Sequence, residues 1–477
     1  MLKYLLAVVS FVLIGNAHAQ SQAELENKAV YNKFEFFYNT QLYDSIYNLA
    51  STDFQKQISK PQLTSIFTQL QTLGRISQGT LTEFKNGAAQ YKVDIAEQSF
   101  NLILAVDSSL HYTTLFIKPY EAKAKPEEQK QTVISKATKD KPLDFYVDSI
   151  ANSFAKQKNA QSLAIGIIHN NQSNHFFYGE TEAGNATLPT ETTLYEIGSI
   201  TKTFTATLLA DLVDRQIISL DDSIAKFLPD SVASNPDIQK ITFKTLANHT
   251  SGLPRLPSNW NTDPKFNEAD PYAHYDQKAL YAFLKNYKAT REPAVEYEYS
   301  NLGFGLLGEL IATITKKPFQ KSLADVITTP LAMLNTVDKI NPKTQTLIKV
   351  YAADGQEVPQ WSFTSMAAAG ALKSTLADLL IYAQAQFVMP ETDLEKAMAL
   401  TRQFTFFIPP NTDIGLAWHM SLLDGILSFQ HTGGTAGSSS FIALAPDSKT
   451  AVVILSNSAI NVSKIGTEIL HKALTTK

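Results

Sequence analysis

A serine and a lysine three positions apart, Ser199 and Lys202, open the stretch YEIGSITKTFTATLLADL. A serine hydroxyl is a weak nucleophile until a base takes its proton, and a lysine amine becomes such a base when burial keeps it neutral. Behind the pair, Phe204, Leu208, Leu209, Leu212 and Val213 form a helical apolar stripe. Ser199 and Lys202 then lie about one turn apart and can face one cavity. The backbone N–H groups of a helix N-terminus also suit a developing oxyanion. Alone, the spacing says little. A capping serine beside a solvated lysine fits it too, and on so short a match that reading is favoured roughly ten to one.

Two further stretches reverse those odds. In YEYSNLGFGLLGELIATITKKPF, Tyr299-Ser300-Asn301 stands just before an apolar helical pattern, with Asn301 readable as a cap. In HTGGTAG, residues 431–437, a strand ends in a glycine-rich ribbon. Glycine lacks a Cβ, so a substrate can approach such a backbone closely.

In the order Ser-x-x-Lys, Tyr-x-Asn, His-Thr-Gly, these residues resemble the serine β-lactamase and penicillin-binding protein superfamily. The branch they resemble is that of class C β-lactamases, DD-carboxypeptidases, D-aminopeptidases and related esterases. The connecting segments LANHTSGLP, TTPLAML and AAGALKSTLADLLIYA agree with it in the same order, over about residues 143–477. The resemblance implies an α+β fold in which an antiparallel sheet, built from N- and C-terminal pieces, packs against helices.

It also implies roles. Ser199 matches the acylated nucleophile and Lys202 the lysine that shares its proton. Tyr299 matches the general base and the acid toward the leaving group; whether Lys202 or Tyr299 is the principal base stays open. Tyr299 loses its proton near neutrality only beside cations, and Lys202 supplies one. Asn301 matches the side chain that holds the substrate amide, with His431, Thr432 and Gly433 along the substrate. The N–H groups of Ser199 and Gly434 match the oxyanion hole. His431 departs from the Lys-Thr-Gly of many relatives. Its reference pKa of about 6.5 leaves it mostly neutral at pH 7, which predicts poor β-lactamase activity and a gain for carboxylate substrates as pH falls. Ala332 stands where relatives often have glycine. His249 reads as a structural loop residue, and Trp361 and Trp418 as lining either a cleft or the core.

The implied activity is a serine hydrolase using an acyl-enzyme on D-amino-acid peptides, esters or β-lactams, without a cofactor. A non-catalytic peptidoglycan or β-lactam sensor of the same fold is the alternative. Intact Ser199, Lys202, Tyr299 and Asn301 argue against it. No histidine spacing suggests a metal site. The net charge of −4 gives no electrostatic case for nucleic acid.

Other elements must carry these residues. The chain opens with Lys3, an apolar run from Leu5 to Ile14, and an A-x-A site ending at Ala19. This pattern reads as a secretory signal, residues 1–19, and predicts export to a bacterial periplasm or medium. No later segment has about 18 uninterrupted apolar residues, so no integral membrane span is expected. The chain has no cysteine, which excludes thiol catalysis and disulfides. Residues 20–119 read as a small α+β domain. Helical spacing runs through Tyr31, Phe34, Phe37 and Tyr38 and on to Leu70; after Gly74, four strands follow, with turn signals at Asn86-Gly87 and Asp107-Ser108-Ser109. That order resembles nuclear-transport-factor-2-like domains and suits a spacer or a module docking an unknown partner. Residues 120–142, charged and carrying two prolines, read as a linker. Residues 143–477 then form the hydrolase domain, opening with a helix to Ala155 and a strand pair around NNQS.

Overall fold

The computed structural model describes residues 22–85, 87–96, 98–120, 130, 132–409 and 412–476. The expected signal at residues 1–19, Asn86 of the first turn signal, and residues 121–129 and 131 of the expected linker lie outside them. The chain divides into two compact units, residues 1–126 and 127–477.

In the first unit four helices, α1 (Gln22–Asn39), α2 (Tyr43–Asn48), α3 (Thr52–Gln57) and α4 (Lys60–Gln71), precede four strands. The strands β1 (Ile76–Lys85), β2 (Ala88–Ile95), β3 (Gln98–Val106) and β4 (Tyr112–Pro119) pair in sequence order as an antiparallel meander. The apolar face of α1 supplies Val30, Tyr31, Phe34 and Tyr38 to the core. Tyr31 stacks on Tyr91 of β2 with ring centroids 3.9 Å apart. Inside this core Asn27 is satisfied on both sides: it donates to the Leu104 carbonyl and accepts from the Tyr91 hydroxyl.

The second unit begins before residue 143. Within the segment expected to be a linker, β5 (Ser135–Ala137) pairs antiparallel with residues 176–178, and the Lys130 N–H donates to the Lys156 carbonyl. The sequence hides this strand because an edge strand faces solvent. It can be short and charged without alternating apolar residues.

The sheet joins the two ends of the unit. After α5 (Pro142–Ala155) come β6 (Ser162–His169) and β7 (Gln172–Gly179). The short β8 (Tyr195–Glu196) and β9 (Lys373–Ser374) pair apart from the main sheet. Then come β10 (Phe406–Ile408), β11 (Thr412–Ile414), β12 (His419–Leu423), β13 (Ile426–Gly434), β14 (Ser439–Ala445) and β15 (Thr450–Ser456). Among the described residues nine strands pair antiparallel in the order β10-β11-β12-β13-β14-β15-β6-β7-β5. N- and C-terminal pieces meet where Ile165 faces Ile454. Strands β14 and β15 are buried along their whole length, because apolar clusters cover both faces. The C-terminal helix Ser463–Thr475 and α5 contribute to one cluster, and the helical middle of the unit fills the other. Ala332 takes a left-handed φ of 56°, the conformation in which glycine alone is unstrained.

Candidate active site

Ser199 sits in a one-turn 3₁₀ segment, Gly198–Ile200, that leads into helix α6 (Thr201–Asp214). No side chain caps α6, so Ser199 is not there as a cap. It is also the residue least buried in the run from Leu194 to Ile200. Two glycines let this turn press against the end of β13. Gly198 has φ +48°, and a Cβ on it would fall 2.6 Å from the Gly434 nitrogen. A Cβ on Gly433 would fall 2.0 Å from the Ile197 carbonyl oxygen. The Ser199 turn and the Gly434 N–H therefore share one corner.

Strand β12 stops pairing with β13 at Gln430. Among the described residues, 431–434 pair only with β14 on their other side. That leaves an open strand edge beside Ser199, to which an extended substrate can add. Thr432 and Gly434 are exposed there, and Gly433 is partly so.

Lys202 is wholly buried. Its Nζ lies 3.0 Å from Ser199 Oγ, 2.9 Å from Asn301 Oδ1 and 2.7 Å from the Ala369 carbonyl oxygen. Burial first, and then the positive charge of Arg255, hold this amine well below the ordinary lysine range. A neutral amine has two N–H bonds and one lone pair. Asn301 Oδ1 and the Ala369 carbonyl only accept, so they take the two hydrogens. The lone pair is left facing the Ser199 hydroxyl, the one partner able to donate.

Tyr299 is half-buried, and its ring centroid lies 4.8 Å from Lys202 Nζ and 5.2 Å from the Arg255 guanidinium carbon. Burial pushes its phenol up from the ordinary value; its hydrogen bond with Ser199 and the Arg255 charge pull back only part of that. The phenol keeps its proton at neutral pH. Lys202 is expected to supply the cation that ionises Tyr299, but burial disfavours the charged form of the amine itself, so it is a poor source of that charge.

The helix α7 (Asn301–Thr315) is capped by Ser300, whose Oγ accepts the Gly303 N–H at 2.9 Å. With the cap supplied by its neighbour, Asn301 is free for the cleft. Its Nδ2 donates to the Tyr272 hydroxyl at 3.0 Å while its Oδ1 holds Lys202. Tyr272 stacks on Phe363 and leans on Trp361, which makes one aromatic wall. Trp361 belongs to that wall, whereas Trp418 is wholly inside the core.

His431 is 2 % exposed. Its Nδ1 lies 2.7 Å from the Thr432 carbonyl oxygen, so that nitrogen carries the proton and Nε2 is an acceptor without a partner among the described residues. Burial holds it well below the ordinary histidine range. The protonation expected from the reference pKa as pH falls is therefore disfavoured by burial.

His249 is also buried. Its Nδ1 accepts the Ser300 N–H at 3.0 Å, and its ring lies 4.4 Å from that of Tyr299. It braces the Tyr-x-Asn turn. Tyr272, Arg255 and the Ala369 carbonyl were not legible as site groups. Arg255 directly follows the family-like LANHTSGLP, and that adjacency is the only signal that could have found it. Among the described residues no group of three or more His, Asp or Glu side chains is placed to hold a metal ion.

The family model described as Beta-lactamase matches residues 147–474. The D-alanyl-D-alanine-carboxypeptidase/endopeptidase AmpH of Escherichia coli is 27% identical over 326 residues, 65% of this chain and 82% of that protein. A beta-lactamase of Pseudomonas fluorescens is 25% identical over 346 residues, 65% of this chain and 92% of that protein. Among solved structures, a beta-lactamase/D-alanine carboxypeptidase from Pseudomonas syringae superposes with a TM-score of 0.61 at 22% identity, covering 70% of this chain and 98% of its own.

Proposed function

Because the chain belongs to the Beta-lactamase family and is a serine hydrolase, we propose that Ser199 is acylated and deacylated within the cleft between α6, α7 and the open edge of β13. The observation that carries this is the Lys202 amine, buried and bonded to two pure acceptors with its remaining direction on the Ser199 hydroxyl.

In the first step Lys202 takes the Ser199 proton as Oγ bonds to the substrate carbonyl carbon. The Ser199 and Gly434 N–H groups hold the resulting oxyanion, each such donor being worth about 10²–10³ in rate. The bond to the leaving nitrogen or oxygen then breaks, and Tyr299 gives that atom its proton. The phenolate takes the proton back from the Lys202 ammonium, so the site is ready for water to repeat the sequence on the acyl-enzyme. Asn301 Nδ2 can turn from Tyr272 to a substrate carbonyl.

Substrates are amides or esters: D-amino-acid peptides, as the carboxypeptidase activity of the E. coli relative suggests, short esters, or β-lactams. The opening of the chain supports export. No helix among the described residues is long and apolar enough to cross a membrane.

Intact-mass analysis with a fluorophosphonate, a penicillin and a short acyl ester tests the reading. One adduct should form, on the peptide containing Ser199, and Ser199→Ala should fold and take none. Labelling of the alanine variant at the wild-type rate would remove Ser199 from the mechanism.

A further inference from the structure

Relatives with Lys-Thr-Gly place a cation at the position His431 holds here, and no charge replaces it on β13. His431 is buried and spends its N–H on the Thr432 carbonyl. Lys202 cannot substitute, because all its polar directions are taken inside the protein. A substrate carrying a carboxylate beside the scissile bond therefore finds no cation along residues 431–434.

Arg255 stands on the other wall. It follows Pro254 and precedes Pro257 by two residues, and proline limits the backbone freedom of such a loop. Its carbonyl oxygen accepts the N–H groups of Asn301 and Leu302 at 3.1 and 3.2 Å. The residue is thus pinned to the turn that presents Tyr299 and Asn301.

The side chain itself is exposed. Its guanidinium carbon lies 5.2 Å from the Tyr299 ring centroid, within the range at which an aromatic face holds a cation. The nearby acids Glu296 and Glu298 pair with Arg291, and among the described residues no carboxylate pairs with Arg255. Its charge is felt by Lys202, Tyr272 and Tyr299, the groups that line the cleft.

We propose that Arg255 determines specificity in this cleft: its guanidinium binds a carboxylate on the leaving-group side of the scissile bond. The side follows from the chemistry. Tyr299 protonates the departing atom, so substituents of the leaving group lie next to Tyr299, where the guanidinium is held. A carboxylate one carbon from that atom can take two parallel N–H···O bonds from the fork. This rests on the reading of Ser199 as the nucleophile.

The test uses the whole chain and a matched pair of compounds: an N-acyl-D-alanyl ester of D-lactate with its terminal carboxylate free, and the methyl ester of the same compound. Two ratios are read, kcat/KM for the pair and the concentrations at which each slows fluorophosphonate labelling of Ser199. Wild type should favour the free acid about tenfold or more in both ratios, less so at high salt. Arg255→Gln should lower both ratios about tenfold, and Arg255→Lys should restore part of the difference. Effects of the lost charge on Lys202 and Tyr299 act on both compounds and cancel in the ratio. Wild-type ratios near one, or ratios that ignore both substitutions while Ser199 still labels, overturn the role of Arg255 alone. Absence of labelling and of turnover in wild type overturns the Ser199 reading, and this inference with it.

Discussion

At the scale of single residues, the proposed mechanism divides the chemistry between Lys202 and Tyr299. Burial costs the charged form of each, so the amine is pushed down and the phenol up. A base must be deprotonated to work, so kcat/KM should fall with decreasing pH through the lowered Lys202 value. Above it the profile should be flat, because Tyr299 is needed protonated and ionises only at strongly alkaline pH. A rate still climbing tenfold per unit through pH 9 would make the phenolate the base instead. Lys202→Ala and Tyr299→Phe should each slow acylation by about 10²–10⁴. The double variant should lose much less than the product, since the two act as a unit. Near-wild-type kinetics in both would leave the mechanism without a base. Burial holds His431 well below the ordinary histidine range, so its titration should contribute little change in substrate preference between pH 5 and 8.

At the scale of elements, the active corner exists because a tight turn and a strand end meet with nothing between them. Gly198 supplies the left-handed turn and lies against the Gly434 nitrogen. Gly198→Ala adds a Cβ 2.6 Å from that nitrogen, closer than such contacts occur, so the corner must open. Backbone donors aimed at an oxyanion tolerate little displacement. The substitution should cost about 10²-fold or more in kcat, while circular dichroism and the unfolding midpoint show a folded protein. Retained activity would mean that the Gly434 N–H is not an oxyanion donor. The same reasoning separates Ser300 from Asn301 on α7. One caps the helix, and this leaves the other free to bridge Lys202 and Tyr272.

At the scale of the whole molecule, the two compact units divide near residue 126, yet the stretch from Lys130 onward belongs to the second. Strand β5 closes the sheet edge along β7, and the Gly179 N–H donates to the Ile134 carbonyl. A chain beginning at Lys130 should therefore fold and keep the activity of the full protein. One beginning at Lys141 loses this edge, exposes the β7 ladder and should unfold at lower denaturant. Proteolysis should cut on the N-terminal side of Lys130 before it cuts within β5. Equal stability of the two fragments would show that β5 adds nothing to the sheet. An inactive but well-folded fragment from Lys130 would mean that the first unit contributes to the site.

Much of this protein was written locally. Apolar periodicity marks α1, α5 and α6; continuous apolar runs mark β6, β14 and β15; and three short motifs in a set order name Ser199, Lys202, Tyr299, Asn301 and the 431–434 ribbon. These signals are legible because each depends on neighbours within a turn or a strand. The tertiary structure alone decided which groups carry protons and charge. Lys202 is pushed toward its neutral form because the fold buries it against a side chain 99 residues away and a carbonyl 167 residues away. His431 titrates poorly because of what packs over it. Arg255 matters because one loop carries it to Tyr299. Desolvation is a sum over everything that surrounds a group, and in a folded chain most of those surroundings come from distant segments.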